Sequence, residues 1–171
     1  MEMQMYIRTS DEIDAITEEF RKCCLTGNLV TIKEYLDTGS IPIDGITKGL
    51  MAVSQTGNLE VIKYLTTHAI NVTAGDNTAL RWCCANGHLT AVTYLINHGA
   101  DLHAVNDWAL RYAVMSGHLK VVKCLVEHGA DIDALNGAAL KTSMELRDEA
   151  ITLYLIGAMG KSMNVRARDV R

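Results

Sequence analysis

The chain has 171 residues, a formal net charge of −4 and an apolar content of 49%, which supplies a continuous core and excludes a disordered polymer. It has a single proline, which excludes proline-rich linkers, and no apolar run reaches the roughly 18 residues of a membrane span. Residues 1–60 carry 5 Lys/Arg against 10 Asp/Glu, an acidic front end opposed to phosphate-backbone binding, which needs a basic face.

Met1 to Asp14 lacks a basic region followed by an apolar run, so no secretory signal is expected and the predicted location is cytoplasmic. The five cysteines then read as reduced thiols. The first predicted helix starts near Ser10, a plausible N-cap followed by acidic residues that suit the positive end of a helix dipole. It runs through Ile13 and Ile16 to Gly27-Asn28-Leu29. That phrase returns as Gly57-Asn58-Leu59, Gly87-His88-Leu89 and Gly117-His118-Leu119, at a strict 30-residue period. A fixed period of this size is the signature of a stacked repeat array, which presents a long shared surface.

Residues 77–106 show the unit. Leu80, Cys83 and Cys84 fall at i, i+3 and i+4 on one helical face, with Asp76 and Asn77 as candidate caps. Asn86-Gly87 stops the helix, because glycine takes the left-handed conformation at little cost. A second helix from about Thr90 carries Ala91, Val92, Leu95 and Ile96 and stops at His98-Gly99. One such hairpin cannot bury its own apolar face, so neighbours must stack on it.

The phrases at 87–101 and 117–131, each running Gly-His-Leu to His-Gly-Ala-Asp, resemble the ankyrin repeat. The resemblance covers residues 17–158 and implies an all-α ankyrin-repeat solenoid of about five stacked helix-turn-helix hairpins with short loops. The repeat is three residues shorter than the common 33-residue form. Its usual Thr-Pro-Leu-His opening is replaced by Thr78-Ala79-Leu80-Arg81, Trp108-Ala109-Leu110-Arg111 and Ala138-Ala139-Leu140-Lys141. A 30-residue period with Ala-Leu-Arg first helices is similar to the ankyrin arrays of mimivirus-like giant viruses, and next to those of ankyrin effectors of amoeba-dwelling bacteria.

A single domain over 1–171 follows. It comprises an N-terminal cap repeat at 10–38, internal repeats at 47–68, 77–98 and 107–128, a C-terminal cap repeat at 137–158, and a basic tail at 159–171. Phe20, Leu50, Leu80, Leu110 and Leu140 are equivalent anchors, and Cys24, Ser54, Cys84, Val114 and Met144 equivalent interior positions. Ala69 stands where other second helices have their stop glycine, so a looser end is expected there. Arg147-Asp148-Glu149 replaces Gly-His-Leu in the fifth repeat, a polar turn suited to a cap. The tail, with Lys161, Arg166, Arg168 and Arg171, reads as a solvated terminus able to meet an acidic partner.

No catalytic residue and no metal site are assigned, and no cofactor is expected. Cys23-Cys24 and Cys83-Cys84 are adjacent pairs, which do not turn two thiolates to one ion, and they lie two repeats apart. The histidines recur at equivalent repeat positions as turn and helix-end residues, so they do not converge. No phosphate loop, nucleophile elbow or acid/base pair appears.

The resemblance implies that first helices line a concave groove. The position after the Ala-Leu-Arg arginine faces it and reads Lys22, Ala52, Trp82, Tyr112 and Thr142. Trp108 precedes Tyr112 by one helical turn, so their rings can meet. Both tryptophans fall in this patch, and Trp and Tyr dominate interface hot spots. The predicted protein-binding residues are therefore Trp82, Tyr112, Trp108, Asn86, Met115, Ser116, Asp107 and Asn136. Arg81 and Arg111 are expected to stack on the rings and bond loop carbonyls or carboxylates.

The function predicted is a non-catalytic protein-interaction module, not an enzyme. Its partner would be an unidentified protein, a host protein if the viral or bacterial resemblance holds. It is expected to be a monomer that binds neither membrane nor nucleic-acid backbone. Two alternatives stand beside it: a small-nucleotide or ligand-sensing array that stacks a base on Trp82, and a self-associating scaffold that uses exposed end repeats.

Overall fold

A computed structural model describes residues 9–68 and 70–168, with side chains as far as residue 160. It divides into two units, Met1–Asn71 and Val72–Arg171. The described residues form helices and turns with no strand, in keeping with the all-α class.

The first unit holds α1 (Ser10–Thr26), α2 (Leu29–Asp37), α3 (Ile43–Thr56) and α4 (Leu59–His68). Helix α1 starts one residue earlier than the Ser10 cap predicts. Thr9 is the N-cap: its hydroxyl accepts from the Glu12 amide and the Glu12 carboxylate accepts from the Thr9 amide. This reciprocal box satisfies two otherwise orphaned donors. The helix ends at Gly27, in the left-handed conformation at φ 74°. Asn28 then caps α2 through a bond from the Thr31 amide, and Asn58 caps α4 through one from the Val61 amide. The core of this unit is Phe20, Cys24, Ile32, Leu50, Val53, Ile62 and Leu65, all at most 1% exposed. Two helix-interior glycines let α3 approach α1. A Cβ at Gly49 would stand 2.5 Å from Phe20 Cε1 and 2.9 Å from Cys24 Sγ, and one at Gly45 would stand 2.8 Å from Ile41 and 3.1 Å from Thr17. The expected looser stop at Ala69 lies outside the described residues.

The second unit holds α5 (Ala74–Ala85), α6 (Leu89–Asn97), α7 (Ala104–Met115), α8 (Leu119–Glu127), α9 (Ala134–Glu145) and α10 (Glu149–Arg168). The first helices α5, α7 and α9 pack side by side, and the second helices α6, α8 and α10 form the adjoining layer. Each first helix opens on a three-residue left-handed turn at 75–77, 105–107 and 135–137, with φ between 52° and 71°. The right-handed helix therefore begins at Thr78, Trp108 and Ala138. Small residues line the contact between first helices: Ala79, Ala109 and Ala139 are at most 2% exposed, as are the anchors Leu80 and Leu110.

Helix α10 does not stop near residue 158. Neither Gly157 nor Gly160 takes the positive φ that ends the earlier helices, so the backbone stays helical to Arg168. The side chains of Lys161, Arg166, Arg168 and Arg171, which carry the basic character of the tail, lie outside the described residues.

Candidate functional site

The predicted docking residues all belong to the second unit, so their geometry is internal to it. Trp108 opens the right-handed part of α7 and meets Tyr112 one turn later, with ring centroids 5.2 Å apart and nearly perpendicular. The Arg81 guanidinium, from the preceding first helix, lies 4.3 Å over the Trp108 ring. The quadrupole of an indole attracts a cation placed there. Arg81 also donates to the Thr78 hydroxyl at 3.0 Å and toward the Gly75 carbonyl at 3.4 Å. Arg111 reaches the equivalent Val105 carbonyl at 3.5 Å. The repeat position of Trp108 is occupied by Ala138 in the next first helix. Among the described residues the arginine stack is thus built at Arg81, and loop carbonyls rather than carboxylates are the partners that Arg81 and Arg111 share.

Trp82 and Tyr112 hold the same position on α5 and α7, and both are half-buried. The Trp82 carbonyl accepts from the backbone and side-chain amides of Asn86, at 3.0 and 2.8 Å. The exposed Asn86 is therefore the C-cap of α5 and rims Trp82 as well. Ser116 is the equivalent C-cap of α7, and Met115 beside it is 54% exposed. Asn136 is exposed in the left-handed turn before α9.

Asp107 departs from the prediction. It is 4% exposed, and its Oδ1 accepts the Asp131 amide at 2.7 Å. His103 Nδ1 stands 3.2 Å from each of its carboxylate oxygens. Asn77 does the same one repeat earlier, taking the Asp101 amide at 2.7 Å. These side chains tie successive loops together and do not cap the following helix, so Asp107 has no surface to offer a partner. The signal was in the register: 77 and 107 share a repeat position, and Asn and Asp share an acceptor oxygen.

The histidines have the helix-end and turn roles their spacing suggests. Nδ1 of His68, His98 and His128 lies within hydrogen-bond distance of the carbonyl four residues back, at 3.1, 2.8 and 2.7 Å. His68 also stacks on Tyr64, and the His98 ring lies tilted against Tyr94 with centroids 4.0 Å apart. One role was missed. His118 Nε2 reaches the Ala85 carbonyl of the preceding repeat at 3.1 Å, and its ring covers Gly87 so closely that a Cβ there would meet it at 2.8 Å. Cys24, Cys83 and Cys84 are buried. Burial pushes the Cys24 thiol up to about 12 and the Cys84 thiol well above its usual range. Thiols held protonated pack as small apolar groups and are poor nucleophiles.

A family model described as "Ankyrin repeats (3 copies)" matches residues 21–106, and one described as "Ankyrin repeat" matches residues 108–137. No curated protein matches the chain.

Proposed function

The chain belongs to the ankyrin-repeat family, whose members are generally protein-interaction modules, and from that premise we propose that it binds a partner protein along the first helices of its second unit. The observation that carries this reading is the aromatic cluster of Trp82, Trp108 and Tyr112. Arg81 holds Trp108 in place, and the exposed Asn86, Met115 and Ser116 form the rim. Half-buried aromatic rings fixed by their own chain are pre-organised, so a partner that covers them forfeits little side-chain freedom. Trp and Tyr contribute a large apolar area with a polar edge, and a rim around it excludes water.

The finer reading places that partner in a host cell and the protein in the host cytoplasm. The 30-residue period and the Ala-Leu-Arg first helices, similar to giant-virus arrays, support it. Occupying a host surface and blocking its normal contact is then the simplest mode of action.

The test is capture from a eukaryotic lysate, amoebal first, on three baits: wild type, Trp82→Ala/Tyr112→Ala and Met115→Ser. Each is checked for folding by circular dichroism. A protein held by wild type, lost by the folded double variant and weakened by Met115→Ser supports the site. Equal recovery on all three baits moves the interface off the first helices.

A further inference from the structure

The fifth repeat exposes a face that the earlier repeats bury. Cys24, Cys84 and Val114 share one repeat position and are 0% exposed. Cys24 shows what that position faces, since its Sγ lies against Gly49 of the following first helix. The fifth occupant, Met144, is 59% exposed. Around it, Leu146 is 53%, Leu153 70% and Ile156 52% exposed. Leu140, the last anchor, is half-buried where Leu80 and Leu110 are sealed. The hairpin is polar at its turn, at Arg147-Asp148-Glu149, and apolar beside it. Contiguous apolar surface with a polar rim marks an interaction site.

We propose that this face pairs with its own copy about a two-fold axis, so that the α9–α10 hairpin of one molecule covers that of another. The choice of occupant comes from charge. One open depression of about 510 Å³ is lined by Met144, Leu153, Thr152, Arg147 and Glu149. Neither Arg147 nor Glu149 has an ion-pair partner among the described residues. A two-fold interface sets the same patch against itself, so residue i meets j and j meets i. One cation and one anion beside an apolar centre satisfy that rule: Arg147 of each molecule faces Glu149 of the other across paired Met144 and Leu153. A head-to-tail contact would need a different surface to fit this one and would grow into filaments. Two hairpins make a small interface, so the dimer is a weak one, with a dissociation constant of about 1 µM or above.

Sedimentation equilibrium on the full chain, from about 1 µM to about 1 mM, tests this. Wild type is expected to pass from monomer to dimer mass and go no further. Leu153→Glu, at the most exposed of the four positions, is expected to stay monomeric while keeping its helical circular dichroism. Arg147→Glu and Glu149→Arg should each weaken the dimer at least about tenfold, since each places like charges opposite one another. An equimolar mixture of those two variants should recover dimer mass, because both cross pairs are then opposite in sign. A monomer at every concentration overturns the proposal. So does mass that climbs beyond the dimer, a dimer that survives Leu153→Glu, or a mixture that associates no better than its components.

Discussion

In the first unit the largest buried ring, Phe20, meets the smallest residue, Gly49. In the second unit the same two positions read Leu80 and Leu110 on one side and Ala109 and Ala139 on the other. The anchor loses volume as the residue at the second position gains a methyl group, and both positions stay buried in each unit. Interiors pack like organic crystals, and a change of even one methylene is felt. A repeat protein thus conserves a pair volume and leaves each position free to vary.

Emptying the anchors breaks the comparison most severely. Phe20→Ala should cost about 3–5 kcal/mol and Leu110→Ala about 2–5 kcal/mol, read from urea denaturation midpoints with unchanged slope. The two should also act on separate regions. Hydrogen exchange should speed up in α1–α4 for the first and in α5–α10 for the second. A uniform acceleration in either variant would mean that the two units unfold as one and that the contrast between them has no energetic meaning.

Adding a methyl group tests the pairing itself. Gly49→Ala places a Cβ where Phe20 Cε1 would be 2.5 Å away, and overpacking of that kind costs about 1–3 kcal/mol. Helix propensity pulls the other way, since Ala exceeds Gly by about 1 kcal/mol inside a helix. Phe20→Leu in the same chain makes the pair identical to the second unit's. The double variant should be more stable than the sum of the singles by at least about 1 kcal/mol, the coupling expected of residues in contact. Additive behaviour would show that the volumes are unrelated.

Much of this was legible in the sequence, because a repeat reads itself five times over. The anchors, the glycine stops at Gly27, Gly57, Gly87 and Gly117, and the contact of Trp108 with Tyr112 all follow from register and helical spacing. What escaped was of two kinds. Thr9 in place of Ser10 is a choice between adjacent cap residues that only hydrogen-bond geometry decides. Asp107 was misplaced because a charged residue in a loop suggests exposure, whereas its carboxylate is spent on the Asp131 amide. The apolar face around Met144 was hidden for another reason. Met144 has the right residue type for an interior position, and only the structure shows it 59% exposed.

The loop bridges sharpen the contrast at lower energy. In the second unit an acceptor oxygen at 77 and 107 holds the next loop. In the first unit the same position is Thr47, inside the regular helix α3, where its hydroxyl donates back to the Ile43 carbonyl at 3.0 Å. Asp107→Ala leaves the Asp131 amide without its acceptor and should cost about 1–3 kcal/mol. Asp107→Asn restores the oxygen found at Asn77 and should recover most of that loss. Thr47→Ala should fall within about 0.5 kcal/mol of wild type, as surface changes usually do. A large loss with Asn at 107 would show that the charge beside His103, and not the acceptor, holds the loop.

The smallest expected effect concerns handedness, and there the sign carries the information. Val105 sits at φ 54°, a conformation that brings Cβ too close to the carbonyl oxygen and costs an L-residue about 1–2 kcal/mol. Gly75 occupies that position one repeat earlier, and Gly45 occupies it in the first unit, where α3 is right-handed throughout. In an ordinary helix, replacing an exposed residue by glycine destabilises by about 1 kcal/mol. At 105 the strain released should offset the freedom that glycine adds to the unfolded chain, so Val105→Gly is expected to be neutral or stabilising by up to about 1 kcal/mol. Thermal and urea midpoints give the sign directly. A stabilised variant means that the second unit turns each loop into its next first helix through a left-handed turn. A loss of about 1 kcal/mol would mean that residues 105–107 are right-handed, as in the first unit, and that all five repeats enter their first helices alike.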